Sequence, residues 1–177
     1  MSGIVSRLSV LGKVWLGLAT GAMALIIFCL AAPGSSLFFP LVSLWCNAAL
    51  FALALLVLRR AGMELDLFHK AVLVGVWAVA VLYFYWALGR RDFVYAWDYA
   101  NYLLKQYDAE AAFAQSTGAG FRFLLDSITE DYTNFITLFT EFPFCLTSHT
   151  GDAYSFSQVF CILPTLLVLL AGLVVKV

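Results

Sequence analysis

Hydrophobic positions in this chain come in long blocks rather than in an alternating pattern. Val14 to Ala32, Leu37 to Leu58 and Ala71 to Leu88 are almost uninterrupted apolar runs, and Phe160 to Val177 forms a fourth, less uniform one. A membrane-crossing helix needs about 20 predominantly apolar residues, so each block predicts a spanning helix. Between the third and fourth blocks the pattern changes. Acidic, aromatic and small residues mix over 89–157, and an apolar series recurs there at helical spacing: Phe121, Leu124, Leu125, Ile128, Tyr132, Phe135 and Phe139. Arg122, Asp126, Thr129, Glu130, Thr133 and Thr137 fall on the opposite face. That periodicity predicts an amphipathic helix lying along a bilayer interface or packed on the protein's own spans. Pro143 is expected to end it, and Gly151-Asp152 to form a turn before the last span.

The expected fold class is therefore all-α: a polytopic membrane protein with four transmembrane helices and a long external loop containing interfacial amphipathic helices. Its organisation divides into 1–88 (three spans with short loops), 89–157 (the acidic and aromatic loop) and 158–177 (the fourth span). Composition agrees, with 63% hydrophobic and 12% charged residues and a mean hydropathy of +0.93, far from the soluble globular norm. The first apolar block is longer than a signal-peptide core and is followed at once by another, so it predicts a retained helix.

Charge predicts the orientation. With the N-terminus inside, Arg7, Lys13, Arg59, Arg60, Lys70 and Lys176 collect on the cytoplasmic side, six of the ten basic residues. Arg90, Arg91, Lys105 and Arg122 are left outside, mostly in the long loop, where the positive-inside bias counts least. The expectation is a cytoplasmic N-terminus and an external loop, in a bacterial plasma (inner) membrane.

Of the eleven acidic residues, all but Glu64 and Asp66 lie between the third and fourth blocks. Asp92 precedes Phe93-Val94 as an N-cap would, its carboxylate taking an otherwise unpaired backbone N–H. Asp98, Asn101 and Lys105 fall on one face of the helix after it, bordered by Tyr102. They read either as a solvated face with a local Asp–Lys pair or as a reactive group. In favour of the second, Asp98 is flanked by aromatics, whose desolvation raises a carboxyl pKa toward that of a general base. Residues 109–120, rich in Ala, Gly and Ser, are expected to be a flexible connection.

Cys29, Cys46 and Cys161 lie in apolar blocks, Cys145 alone lies in the loop, and neither they nor His69 and His149 show a metal-ligand spacing. His69 reads as an interface residue and His149 as part of a polar turn. Asn47, the strongly polar side chain well inside a span, is expected to bond a neighbouring helix. The near-absence of charge within the spans argues against a transporter fragment.

Tyr95-Ala96-Trp97-Asp98-Tyr99-Ala100-Asn101-Tyr102 after a span, then Glu130-Asp131-Tyr132, a proline, a Gly-Asp pair and another span, resemble the N-terminal part of the polytopic GT-C-fold glycosyltransferases, which use polyprenyl-phosphate-linked sugars. The resemblance covers roughly residues 75–177. It implies a catalytic acidic residue near the start of the loop, which corresponds to Asp98, and a second acidic position matched by Glu130 or Asp131. An acceptor hydroxyl would attack the anomeric carbon and polyprenyl phosphate would leave. Lys105 and Arg122 are the candidates to hold phosphate, Arg90 and Arg91 reading rather as interface anchors, and Trp97 and Tyr102 those to stack on sugar. The implied partners are the bilayer, a polyprenyl-phosphate sugar donor and an acceptor of unspecified kind, with no nucleic acid. No cofactor is expected. A divalent metal is compatible with the family, but the loop has no Asp-x-Asp, and Glu64-Leu65-Asp66 falls on the other side. The family has one span before this loop and many after it, whereas this chain has three before and one after, so the expectation is an N-terminal fragment with an incomplete site. The competing expectation is a non-catalytic membrane subunit or assembly factor whose loop docks a partner.

Overall fold

The computed structural model describes residues 10–32, 35–63, 65–88, 97–130, 133–147 and 150–175. Among these the chain is helical, with no strand. The elements are α1 (Val10–Ala31), α2 (Phe38–Arg60), α3 (Leu67–Leu88), α4 (Trp97–Gln115), α5 (Thr117–Asp126), two 3-10 turns (Ser127–Thr129 and Asn134–Ile136), α6 (Thr137–Phe144) and α7 (Gly151–Val175). Four helices are long and apolar enough to cross a membrane: Gly12–Ala31, Phe38–Arg60, Leu67–Ala87 and Gly151–Gly172. Their length and composition are consistent with an integral membrane protein.

Local chemistry sets the ends of these helices. Pro40 lies in the first turn of α2, where a missing N–H costs nothing. At the other end Gly62 adopts φ 76°. Gly62 N donates to Arg59 O and Met63 N to Leu58 O, the paired bonds of a Schellman stop. Arg59 and Arg60 in that last turn face the negative end of the helix dipole. Asp66 caps α3 by accepting from His69 N at 2.8 Å and from His69 Nδ1 at 2.6 Å.

α2 is the hub of the molecule, in contact with α1, α6 and α7, while α3 packs on α7. The loop elements α4, α5 and α6 form a layer at the end of α2 where it begins. Phe38, Phe39 and Val42 of α2 are buried there with Ala109 and Phe113 of α4 and Leu124 of α5, and Phe39 stacks on Phe113 with centroids 4.2 Å apart.

Three expectations are corrected. Residues 109–120 are not a flexible connection. α4 runs to Gln115 and α5 starts at Thr117, with Ser116 between them capping α5 through Ala119 N. Gly120 serves close packing, since a Cβ there would run into the Phe113 ring. The amphipathic run over 121–139 is not one helix, because it breaks after α5 into 3-10 turns before α6. Ser127 and Thr133 supply the competing bonds: Ser127 Oγ donates to Leu124 O and accepts from Asn134 N, and Thr133 Oγ1 accepts from Phe135 N. Finally, Gly151 opens α7 rather than a turn, so the last long helix begins well before Phe160.

α6 reaches down alongside α2. Pro143 lies inside it and lacks the N–H that would pair with Phe139 O. Asn47 Nδ2 of α2 donates to that carbonyl at 2.9 Å, and Phe142 N donates to Ser43 Oγ at 2.9 Å. Ser43 and Asn47 lie roughly 8 and 14 Å along α2 from its start at 1.5 Å per residue. Backbone polar groups packed between helices need protein partners, and α2 provides them. The expectation that Asn47 bonds a neighbouring element holds.

Candidate functional site

The spine of the loop layer is α4. Asn101, Lys105 and Asp108 on one side of it line a cleft of about 510 Å³ with Leu104, Phe123, Glu130 and Asn134. Lys105 Nζ donates to Glu130 Oε2 at 2.9 Å and to Asn134 Oδ1 at 2.6 Å. Asn134 is itself fixed: its Nδ2 donates to Phe123 O at 2.8 Å, and its backbone N–H is held by Ser127 Oγ at 2.7 Å. Lys105 is therefore partly buried and aimed, while Glu130 is half-exposed.

The sequence placed Asp98, Asn101 and Lys105 on one face, and the structure puts Asn101 and Lys105 in one cleft. Trp97 and Asp98 stand in the first described turn of α4, about two turns from Lys105, and their side chains lie outside the described residues. Glu130 joins the cleft, whereas Asp131 lies outside the described residues, as do Arg90, Arg91, Asp92 and His149. Arg122 is exposed on α5 and is not among the cleft-lining residues. Tyr102 packs against Phe144, Ala153 and Tyr154, which places it in a packed cluster and not in the cleft.

A second polar cluster, which sequence reasoning missed, occupies another flank of α4. Gln106 is fully buried. Its Nε2 donates to Glu141 Oε2 at 2.6 Å, and its Oε1 accepts from Thr140 Oγ1 at 2.6 Å. Glu141 is also buried, and its carboxyl is hydrogen-bonded to Glu110. Burial, then the charge of Glu110, push the Glu141 carboxyl up to about 9, against the opposing bond from Gln106. It is thus protonated at neutral pH. Beside the pair a cavity of about 510 Å³ opens toward Ser35, Ser36, Phe39 and Cys145. The Cys145 thiol is pushed up to about 11 by burial and then by Glu141 and Glu110, so it is no thiolate nucleophile at neutral pH. The signal available was slight: one carboxylate in the apolar string Phe139-Thr140-Glu141-Phe142-Pro143-Phe144, and Gln106 one helical turn from Glu110.

Among the described residues no group of three or more His, Cys, Asp or Glu side chains is placed to hold a metal ion. The Lys105 cleft offers a cation, two amides and two carboxylates at an open surface, a set of donors and acceptors suited to polar contacts. The Glu141 cluster offers a neutral proton donor sealed in protein. Comparison with protein families, with curated proteins and with solved structures returns no match.

Proposed function

We propose that the chain is a membrane glycosyltransferase, or the N-terminal part of one, that moves a sugar from a polyprenyl-phosphate donor to an acceptor hydroxyl at the loop-side face. The observation that carries this is the cleft of Asn101, Lys105, Asp108, Glu130 and Asn134 beside helices able to cross a bilayer. A lipid-phosphate sugar presents an anion and a ring of hydroxyls at that level, with its tail in the membrane. Asp98 lies on the same face of α4. In the reaction the acceptor oxygen bonds to the anomeric carbon and the bond from that carbon to the phosphate oxygen breaks. Asp98 takes the hydroxyl proton, and the phosphate keeps the bonding electrons. Lys105 exchanges Glu130 for the leaving phosphate, a cation matched to developing charge. Glu130 then serves as the holder of Lys105 in the empty site. The loop face is external and the N-terminus cytoplasmic, in a bacterial plasma membrane.

A second reading, a non-catalytic subunit that docks a partner through the loop, is favoured by the exposed stripe of Phe121, Leu125 and Ile128. The first reading lays that stripe on the lipid surface. The test uses the full-length protein in nanodiscs with a panel of polyprenyl-phosphate hexoses. Asp98→Asn keeps size and most hydrogen bonding but removes the proton acceptor, so transfer should fall by about 10²–10⁴-fold. Asp126→Asn, on exposed α5 away from the cleft, should leave it unchanged. Transfer by Asp98→Asn at the wild-type rate removes Asp98 from the mechanism, and absence of transfer from every donor by wild type favours the docking reading.

A further inference from the structure

The two protein acceptors of Lys105 Nζ differ in kind. Glu130 is a carboxylate with 53% of its side chain exposed. Asn134 is a neutral amide in a residue only 4% exposed. Each polar atom of Asn134 is engaged by a different part of the loop layer. Its backbone N–H donates to Ser127 Oγ at 2.7 Å, its Nδ2 donates to Phe123 O of α5 at 2.8 Å, and its backbone carbonyl accepts from Thr137 Oγ1 of α6 at 2.7 Å. The remaining atom, Oδ1, accepts from Lys105 Nζ of α4 at 2.6 Å. The amide cannot be turned over, because a carbonyl only accepts and an ammonium only donates. Reversal would oppose two acceptors at Phe123 and two donors at Lys105. None of the three bonds that hold the amide involves Glu130, so it stays in place whether or not Glu130 does.

A lysine carries a compact charge with three donors on a long, flexible stem. Glu130 and Asn134 take two of those donors, and the third has no protein partner among the described residues. A mobile lysine must be ordered before it can hold an anion, and that ordering costs affinity. Here the ordering is complete before any ligand arrives.

We propose that Asn134 is the positioning residue of the cleft: it holds the Lys105 ammonium in one place while a phosphate group on a hydrocarbon chain takes over from Glu130. The choice of phosphate rests on the transferase reading, but the role concerns binding and needs no sugar transfer. Asn134 touches no reacting atom and acts only through Lys105. Its neutrality is part of the role. An aspartate there would still accept from Lys105, yet it would add a charge that opposes the phosphate.

The test is binding of octyl phosphate to the full-length protein in a neutral detergent, followed by phosphorus NMR against empty micelles, with thermal unfolding measured alongside. Asn134→Ala should weaken binding by about two- to twelvefold, the range for one long side chain that the ligand must now order. It should also lower the unfolding temperature, because the bond to Phe123 O is lost with it. A Lys105→Met background separates the two effects. There Asn134→Ala should still lower the unfolding temperature but leave octyl phosphate binding unchanged, whereas a purely structural role would weaken binding equally in both backgrounds. Asn134→Asp should weaken binding more than Asn134→Ala does. Should Asn134→Ala fail to fold, Asn134→Ser takes its place in both backgrounds. Binding that is unaffected by the substitution, or weakened equally with and without Lys105, overturns the proposal. So does failure of the wild type to bind octyl phosphate. Binding that follows the expected pattern in a protein that transfers no sugar upholds the positioning role and removes the transferase reading alone.

Discussion

Lys105 and Gln106 sit next to each other on α4 and open onto different flanks of the loop layer. Lys105 meets Glu130 and Asn134 in a cleft open to water. Gln106 meets Glu141 and Thr140 where no solvent reaches. Each cluster contains a glutamate bonded by an amine or amide nitrogen, yet the two carboxyls have different surroundings. Glu130 is half-exposed and faces a cation; Glu141 is buried, faces a second carboxyl and holds its proton. Exchangeable partners suit a site that must release one ion for another. A buried hydrogen-bonded network suits the joint that fastens α6 to α4.

The comparison is tested most severely by pH. The Glu141 carboxyl titrates near 9 in the folded protein, against 4.5 for an ordinary glutamate, so between those values the folded state holds a proton that the unfolded state has lost. Stability is therefore greatest below the lower value, falls as pH rises, and levels off above the upper one. The slope approaches about 1.4 kcal/mol per pH unit for one group. Glu141→Gln keeps a neutral acceptor and should flatten it, being close to wild type at pH 5 and more stable at pH 8 in detergent thermal unfolding. A wild type whose stability is unchanged from pH 5 to 8 would mean that Glu141 is ionised and the contrast between the flanks is wrong.

Next in size is the loss of Gln106. Gln106→Leu leaves Glu141 Oε2 without its donor, and it deprives Thr140 Oγ1 of its short acceptor in favour of the longer contact to Ile136 O at 3.3 Å. An unsatisfied buried polar group costs about 1–3 kcal/mol, so thermal unfolding should show a loss in that range. Lys105→Met, one residue away, should cost less. Equal losses at the two positions would show that the open cleft is as structural as the buried joint.

How much of this was legible depends on whether a signal is local. The four long helices were, because an apolar run carries its own evidence; the start of α7 was not. Tyr154 and Ser157 lower the hydropathy of its first turns, yet both are buried in the protein, so the helix continues where lipid-like composition does not. The break after α5 was hidden because Ile128 and Phe135 keep the helical period while Ser127 and Asn134 bond away the backbone that would realise it. In the cleft, the alignment of Asn101 with Lys105 follows from helical spacing alone. Glu130 was singled out by its motif, but its pairing with Lys105 spans 25 positions and Asn134 was not suspected. Gln106, Glu110 and Glu141 were invisible as a set, since the tie between Gln106 and Glu141 crosses 35 positions and arises only from the packing of α6 on α4.

The smallest expected effect sharpens the comparison from the open side. Lys105 and Glu130 form an ion pair in which Glu130 is half-exposed, and water screens most of its attraction. Exposed pairs contribute about 0.2–1 kcal/mol in double-mutant cycles. A cycle of Lys105→Met and Glu130→Gln should return a coupling in that range, decreasing as salt is raised, because exposed charges are screened. The same cycle carried out on Gln106→Leu and Glu141→Gln should be insensitive to salt, since at neutral pH the buried cluster contains no charge on Gln106 and a proton on Glu141. Asn134→Ala helps separate the two contributions within the cleft. It removes the amide that fixes Lys105 and the bond to Phe123 O, so it should cost more than the ion pair itself. A Lys105–Glu130 coupling well above about 1 kcal/mol and indifferent to salt would show that the pair is locked in place. Glu130 would then be unable to yield Lys105 to an incoming phosphate, and the exchange proposed for the cleft would fail with it.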